Sequence, residues 1–294
     1  MKRDGSIQTS KGLVLMLGGF LYDLTEKQQR KTTFDKKTIA KDLKRWKNDF
    51  SQFQKAFIDS KTKLYHCELP KLTPTLDENM YLINKFFSQP AASYVLFWSG
   101  HGIPETGDWS ISEKHSITFQ NILEAWYQGV GYPNNKLLLI IVNSCYSGAW
   151  ISQIKDYMRN GGDKASKLKL AIQVGCTAEE ESFVQTENLV DDLMIGSLLI
   201  RKMVHDKINL ANQQNIFVWT HEKQHPTFYV TPNVEAHLRI KDCDVTGEKF
   251  CYLNPLHCTF RLSRIESSWS INKQGTQATF INKNITTIKK GKFS

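Results

Sequence analysis

Cys145 follows a continuous apolar run at 137–142 and stands among small and polar residues. A free thiol is only a few per cent thiolate at neutral pH, so it needs a neighbouring base to act as a nucleophile. His101 precedes Cys145 by 44 residues and also follows an apolar run. We therefore predict a pair in which His101 takes the thiol proton of Cys145 and later protonates a leaving amine.

Glycines flank His101 on both sides, and they would let a peptide backbone approach the site. The backbone N–H groups of Gly102 and Cys145 are the predicted donors to an oxyanion that forms when a thiolate attacks a carbonyl. The predicted chemistry is acyl transfer. The alternative for Cys145 is a buried structural thiol, since free cysteine is among the most buried residue types. The small and polar neighbours of Cys145 favour catalysis.

Two short motifs contain these residues, namely Ser99-Gly100-His101-Gly102 and Asn143-Ser144-Cys145-Tyr146-Ser147-Gly148. Together they resemble the His-Gly and Asp-Ser-Cys-x-Ser-Gly motifs of caspase-like cysteine peptidases, and metacaspase-like caspase-domain proteins are the nearest group. The resemblance continues at 171–178 and 224–228 and covers about residues 12–230. It implies a cysteine-type endopeptidase, with His101, Gly102 and Cys145 as its catalytic residues.

Three further residues are expected at the substrate: Asn143, Glu179 and Glu180. Metacaspases have aspartate where this chain has Asn143. Caspases have a basic pocket for the substrate, but this chain has no clear arginine after its first strand that would indicate such a pocket. Glu179, Glu180 and Glu181 follow a later strand, in the region where metacaspases place an acidic residue. The resemblance therefore implies a basic residue before the scissile bond, although the neutral Asn143 weakens the field that such a residue needs.

The elements that must position these residues alternate between strand and helix. Strands are predicted at 13–17, 64–69, 94–98, 137–142, 168–174 and 217–219, and helices at 35–57, 75–87, 117–128, 146–158 and 192–204. This order predicts a doubly wound α/β fold. The resemblance implies a caspase-like three-layer sandwich with a mainly parallel central sheet and helices on both faces. Ligands bind beyond the carboxyl ends of the strands in such sheets.

Two domains are predicted. Residues 1–230 would form the peptidase domain, and residues 231–294 a small β-rich C-terminal extension of unknown role, with alternating apolar residues at 250–253 and 259–262.

The polar segment at 159–167 is predicted to be a linker. Loop tips of this kind favour proteolysis, so cleavage at Arg159, Lys164 or Lys167 would be a route to activation. An ordinary surface loop is the alternative.

The composition is that of an ordinary globular protein. The 294 residues carry a formal charge of +9, with 40% hydrophobic and 23% charged residues. The lysines are spread along the chain without a nucleic-acid motif, so we expect no nucleic-acid partner. We find neither a signal peptide nor a membrane span, and six cysteines without a dense spacing pattern agree with a reducing compartment. A cytoplasmic location is expected.

A zinc site is the cofactor alternative. Its ligands would be drawn from the Cys and His residues near the C-terminus, which are His237, Cys243, Cys251, His257 and Cys258. Because they lack a repeated Cys-x2-Cys pair, we expect neither a metal nor another cofactor. The expected partners are protein or peptide substrates and a regulatory protein, and calcium is a condition to test. The alternative function is a catalytically latent, caspase-like regulatory or binding domain.

Overall fold

The computed structural model describes residues 10–19, 33–58, 62–71, 74–112, 114–182, 227–232, 249–254, 259–264, 269–272 and 276–280. Its strands are β1 (Ser10–Gly19), β2 (Thr62–Glu68), β3 (Ala91–Gly102), β4 (Trp109–Ser110), β5 (Ser116–Ile117), β6 (Leu137–Asn143), β7 (Leu170–Val174), β8 (Thr227–Val230), β9 (Lys249–Asn254), β10 (Thr259–Arg264), β11 (Trp269–Asn272) and β12 (Thr276–Phe280). Its helices are α1 (Thr33–Phe57), α2 (Leu76–Phe87), α3 (Phe119–Gly129), α4 (Ala149–Asn160) and α5 (Gly162–Lys167).

The main sheet has the strand order β11-β12-β8-β7-β6-β3-β1-β2. Strands β2, β1, β3, β6 and β7 pair in parallel, whereas β8, β12 and β11 are antiparallel. The prediction of an α/β fold with a mainly parallel central sheet is confirmed.

Helices cover both faces of this sheet. On one face, Tyr94 of β3 packs against Trp126 of α3, with ring centroids 5.3 Å apart. On the other face, Phe97 packs against Phe50 and Phe53 of α1 at 5.5 and 4.7 Å. Because successive side chains of a strand point to opposite faces, α1 and α3 lie on opposite sides. The arrangement agrees with the predicted three-layer sandwich.

The central strand β6 is buried along its whole length. Strands covered on both faces are typically continuous apolar runs, which is why the run at 137–142 predicts this strand correctly. Complete burial of one Leu or Ile side chain contributes roughly 1.5–3 kcal/mol. The strand that precedes Cys145 is therefore firmly held.

Capping residues begin two of the helices. Thr75 caps α2 as predicted, and its side chain and that of Glu78 bond each other's backbone N–H groups. Helix α3 begins after Thr118, which Asn121 supports in the same way. The predicted helix at 117–128 therefore starts too early, since Ile117 pairs in β5.

Strand β3 is longer than predicted. His101 and Gly102, expected in a loop after the strand, lie within β3, because they pair with Ser110 and Trp109 of β4.

The predicted linker at 159–167 is wrong in its conformation. Helix α4 reaches Asn160, and α5 begins at Gly162, so Gly161 is the break between two helices. Of the three predicted cleavage positions, Arg159 is in α4, and Lys164 and Lys167 are in α5. A single residue is enough to redirect the chain here.

The C-terminal strands β9 and β10 pair with each other, as the alternation at 250–253 and 259–262 predicts. Strand β12 pairs with β8, and β11 with β12, so they extend the main sheet. The division into two domains stays a prediction. The predicted helix at 192–204 and strand at 217–219 lie outside the described residues. Within the described part of the chain, no helix is both long and apolar enough to cross a membrane.

Candidate active site

Two adjacent parallel strands carry the predicted catalytic residues. The register of β3 and β6 pairs Ser99 with Asn143, and His101 and Cys145 each lie two residues beyond that pair. The two residues therefore reach the same edge of the sheet. Gly102 packs directly against this edge, because a Cβ atom on it would overlap the Cys145 carbonyl oxygen. Its role as an oxyanion donor stays a prediction.

The Cys145 thiol lies against the loop that follows β7. The backbone N–H of Ser182 donates to Cys145 Sγ at 3.3 Å, and Sγ is 3.9 Å from the Ser182 carbonyl oxygen. Burial raises the pKa of Cys145 and the charge of Glu181 adds to this, whereas the Ser182 N–H and the charge of Arg45 oppose it. The thiol is therefore mainly protonated at neutral pH, and a base must activate it.

His101 lies on the face of the sheet that α1 covers. Its Nε2 is 3.8 Å from Asp42 Oδ2, and its ring meets the Trp46 ring edge-on with centroids 6.1 Å apart. Burial alone would raise the pKa of Asp42, but the nearby His101 side chain and the charges of Arg45 and Lys41 hold it below its ordinary value. Asp42 is thus a carboxylate at neutral pH.

A buried polar network lies beneath the site. Asn143 Nδ2 donates to Asp49 Oδ2 at 3.0 Å and to Ser99 Oγ at 3.1 Å, and Ser99 Oγ donates to Asp49 Oδ2 at 3.0 Å. Ser182 Oγ donates to Asn143 Oδ1 at 3.4 Å. The network joins α1, β3, β6 and the loop after β7. The Asn143 amide is engaged within the protein, and its role in substrate binding stays a prediction.

The three glutamates after β7 have different surroundings. The Glu180 carboxylate accepts a backbone N–H of its own loop at 3.0 Å, and its carbonyl accepts the Tyr146 N–H at 2.8 Å. Tyr146 Oη donates to Glu181 Oε1 at 3.2 Å, while Glu179 is exposed. Glu180 therefore shapes the loop, and Glu181 is the one of the three that acts on the Cys145 thiol. Substrate contacts of Glu179 and Glu180 stay predictions.

The turn after Cys145 is tight. Tyr146 has a φ of 56°, in the left-handed region that glycine favours and that costs other residues about 1–3 kcal/mol. Gly148 approaches the loop after β7 so closely that a Cβ atom on it would lie 2.6 Å from the Ala178 nitrogen. The turn and this loop fit only because the residue at 148 is glycine.

Cys176 is a second thiol beside the site, and it is fully buried. Its Sγ donates toward the Ser144 and Glu180 carbonyl oxygens at 3.3 and 3.2 Å, and it lies 3.6 Å from Ser147 Oγ. Burial raises the pKa of Cys176 to about 11. It is therefore a protonated donor that ties the segment around Cys145 to the loop after β7.

Sequence reasoning missed the polar residues of α1, which are Asp42, Arg45 and Asp49. They lie on the face that contains Trp46 and Phe50, at spacings of three to seven residues. Charged residues that interrupt an apolar helix face were the available signal.

No group of three or more His, Cys, Asp or Glu side chains that could hold a metal ion occurs among the residues that the structure describes. Of the residues considered for zinc, His237, Cys243, His257 and Cys258 lie outside the described ranges.

Comparisons with known proteins find distant likenesses among solved structures. No protein-family model and no curated protein matches the chain. Among solved structures, the chain is similar to protein GSU0716 from Geobacter sulfurreducens, with 13% identity over 75% of this chain and 93% of that chain and a TM-score of 0.44. It is also similar to Raptor from Chaetomium thermophilum, with 12% identity over 59% of this chain and 16% of that chain and a TM-score of 0.35. Likenesses of this size do not bear on the chemistry of the site.

Proposed function

We propose that the protein is a caspase-like cysteine endopeptidase, with Cys145 as the nucleophile and His101 as the general base and acid. The observation that carries the proposal is the strand register that leads both residues to one sheet edge, with Gly102 against the Cys145 backbone. The resemblance of the two motifs to those of caspase-like peptidases supports the same assignment.

In the proposed reaction, His101 accepts the thiol proton and Cys145 Sγ bonds to the peptide carbonyl carbon. The carbonyl oxygen becomes an oxyanion that the N–H groups of Gly102 and Cys145 would stabilise. The C–N bond then breaks, and the leaving amine takes the proton from His101. Water adds to the thioester with His101 as base, which releases the carboxylic acid and restores the thiol.

The proposed substrate has a basic residue before the scissile bond. The Glu181 carboxylate, held by Tyr146 at the rim of the site, supports this choice. Arg45 would favour an acidic residue instead, but its guanidinium already has Asp42 as a partner at 4.0 Å. Glu181 is therefore the better candidate for a contact with the substrate.

The test is cleavage of fluorogenic peptides that vary in the residue before the scissile bond, in reducing buffer with and without calcium. We expect wild-type activity on Lys or Arg peptides and its loss in Cys145→Ala and His101→Ala. Cys67→Ala is the matched control, because Cys67 lies on the outer strand β2. Equal activity in Cys145→Ala would overturn the proposal. Cell fractionation would test the proposed cytoplasmic location, where thiols are kept reduced.

A latent regulatory or binding domain is the second candidate function. The half-buried Cys145 thiol, with its raised pKa and its contacts to Ser182, favours it. This candidate predicts that a small thiol reagent labels Cys145 while no peptide is cleaved under any condition. Peptide cleavage that depends on Cys145 would exclude it.

A further inference from the structure

A carboxylate of α1 lies beside the proposed base: Asp42 Oδ2 is 3.8 Å from His101 Nε2. We propose that Asp42 is a positioning residue, which orients the His101 imidazole and stabilises its charged form while Cys145 gives up its proton. The inference rests on the proposed function, since it assigns a third member to the same site.

Two contacts hold the imidazole from the α1 side. Asp42 lies at Nε2, and Trp46 meets the ring edge-on. A neutral imidazole has one donor and one acceptor nitrogen. With Nε2 directed at a carboxylate, Nδ1 is the nitrogen left to accept the thiol proton. In the proposed role, a proton on Nε2 leaves Nδ1 unprotonated for this transfer.

Asp42 is itself held in place. While Oδ2 is the oxygen nearest His101, Oδ1 lies 4.0 Å from Arg45 Nη1. The Arg45 guanidinium in turn lies over the Trp46 ring, 5.2 Å from its centroid. The Asp42 and Arg45 side chains are each only 16% exposed. Such partial burial makes the attraction stronger than that of a pair in open solvent.

Helix α1 is fixed to the strands that carry the reacting residues. Asp49 bonds Ser99 of β3 and Asn143 of β6, each two residues before His101 or Cys145. Asp42 lies seven residues earlier on the same helix, which is roughly two turns or 10 Å. The buried network beneath the site therefore also sets the position of Asp42 relative to His101.

The charges around the site determine whether loss of the Asp42 charge raises or lowers the reactivity of Cys145. The charged and titratable groups on the described elements near His101 and Cys145 are Lys41, Asp42, Arg45, Asp49, Cys145, Tyr146, Cys176, Glu180 and Glu181. Without the Asp42 charge, Arg45 and Lys41 would oppose a positive imidazole. The thiolate–imidazolium pair would then form less readily, and Cys145 would need a higher pH to react.

The test is the rate of Cys145 alkylation by iodoacetamide as a function of pH, followed by peptide mass spectrometry. We expect Asp42→Asn to lower the rate at pH 7 about tenfold and to raise the midpoint of the profile by about one pH unit. Asp42→Glu, which keeps the charge, should restore the midpoint. Asp156→Asn is the matched control, because Asp156 pairs with Arg159 on the exposed side of α4.

The outcomes separate the positioning role from a structural one. If Asp42→Asn keeps the wild-type profile, or slows alkylation equally at every pH, the proposal is wrong. If Asp42→Asn does not fold, the smaller Asp42→Ser replaces it, and failure of both to fold would make Asp42 a structural residue and overturn the proposal.

Alkylation needs no peptide turnover, so the two proposals can fail separately. If the pH profile of Cys145 alkylation depends on Asp42 but the protein cleaves no peptide, only the proposed peptidase function is contradicted. If the wild type cleaves peptides but the alkylation profile does not depend on Asp42, only the proposed positioning role is contradicted.

Discussion

Asp49 accepts a hydrogen bond of 3.0 Å from the side-chain amide of Asn143, which lies 94 residues later in the chain. Asp49 is 0% and Asn143 4% exposed. A hydrogen bond to a charged group contributes about 1.5–3 kcal/mol. This contact therefore ties α1 to the end of β6, two residues before Cys145.

The Gly102→Ala variant should separate strand β3 from the Cys145 backbone, because the new Cβ atom would overlap the Cys145 carbonyl oxygen. We expect the free energy of unfolding in urea to fall by about 1–3 kcal/mol, and peptide cleavage to be lost. Gly175→Ala is the control, since its Cβ atom would meet no atom closer than 3.6 Å. Equal losses in the two variants would contradict the close approach of Gly102.

Iodoacetamide at pH 8 should modify Cys145 much faster than Cys67 and Cys176. Burial raises the pKa of each of these two to about 11, so their thiols stay protonated at this pH. Peptide mass spectrometry after brief labelling measures the order in which the three cysteines are modified. Urea-unfolded protein is the control in which all three react. Labelling of Cys176 as fast as that of Cys145 would contradict the burial argument.

The strands and helices up to residue 174 follow largely from the sequence. Apolar periodicity dominates there, because the central strands are buried on both faces and the helices on one, as in β6 and α2. The meeting of His101 and Cys145 at one sheet edge also follows, since the ends of adjacent parallel strands share that edge.

The side chains that surround His101 and Cys145 cannot be predicted from the local sequence pattern. Asp42 and Asp49 look like solvent-facing charges on an amphipathic helix until α1 is packed on the sheet, where their partners lie 50 to 94 residues away in sequence. The length of β3 likewise depends on its pairing with β4. Contacts between distant segments of the chain determine such features, and the secondary-structure propensities of the residues do not predict them.

Glu181→Gln should change thiol reactivity and substrate preference in opposite directions. Because the Glu181 charge raises the pKa of Cys145, its removal should lower that pKa and move the alkylation profile to lower pH. Cleavage of Lys and Arg peptides should meanwhile fall through a higher KM. Glu179→Gln, at an exposed position of the same loop, is the control. An unchanged KM would remove Glu181 from substrate binding.

Asn143→Asp would place two carboxyl groups in the buried network, with Asp49 as the second. We expect the free energy of unfolding at pH 7 to fall by about 3–5 kcal/mol, since one buried charge would lack a partner. The two neighbouring carboxyl groups and their burial raise the folded-state pKa of the pair. The loss of stability should therefore vanish below about pH 4, where the carboxyls of the unfolded chain also bind protons, and it should grow as the pH rises.

The exchanged pair Asp49→Asn/Asn143→Asp has one carboxyl and one amide again, and it should recover most of the stability that Asn143→Asp loses. Urea unfolding of the wild type, both single variants and the double variant gives the coupling energy, with Asn84→Asp on the exposed side of α2 as a control. If the changes in free energy of unfolding of the two single variants add up to that of the double variant within about 0.5 kcal/mol, a direct contact is contradicted. Recovery would instead explain how the chain carries asparagine two residues before the proposed nucleophile Cys145, because α1 supplies the carboxylate of the buried network.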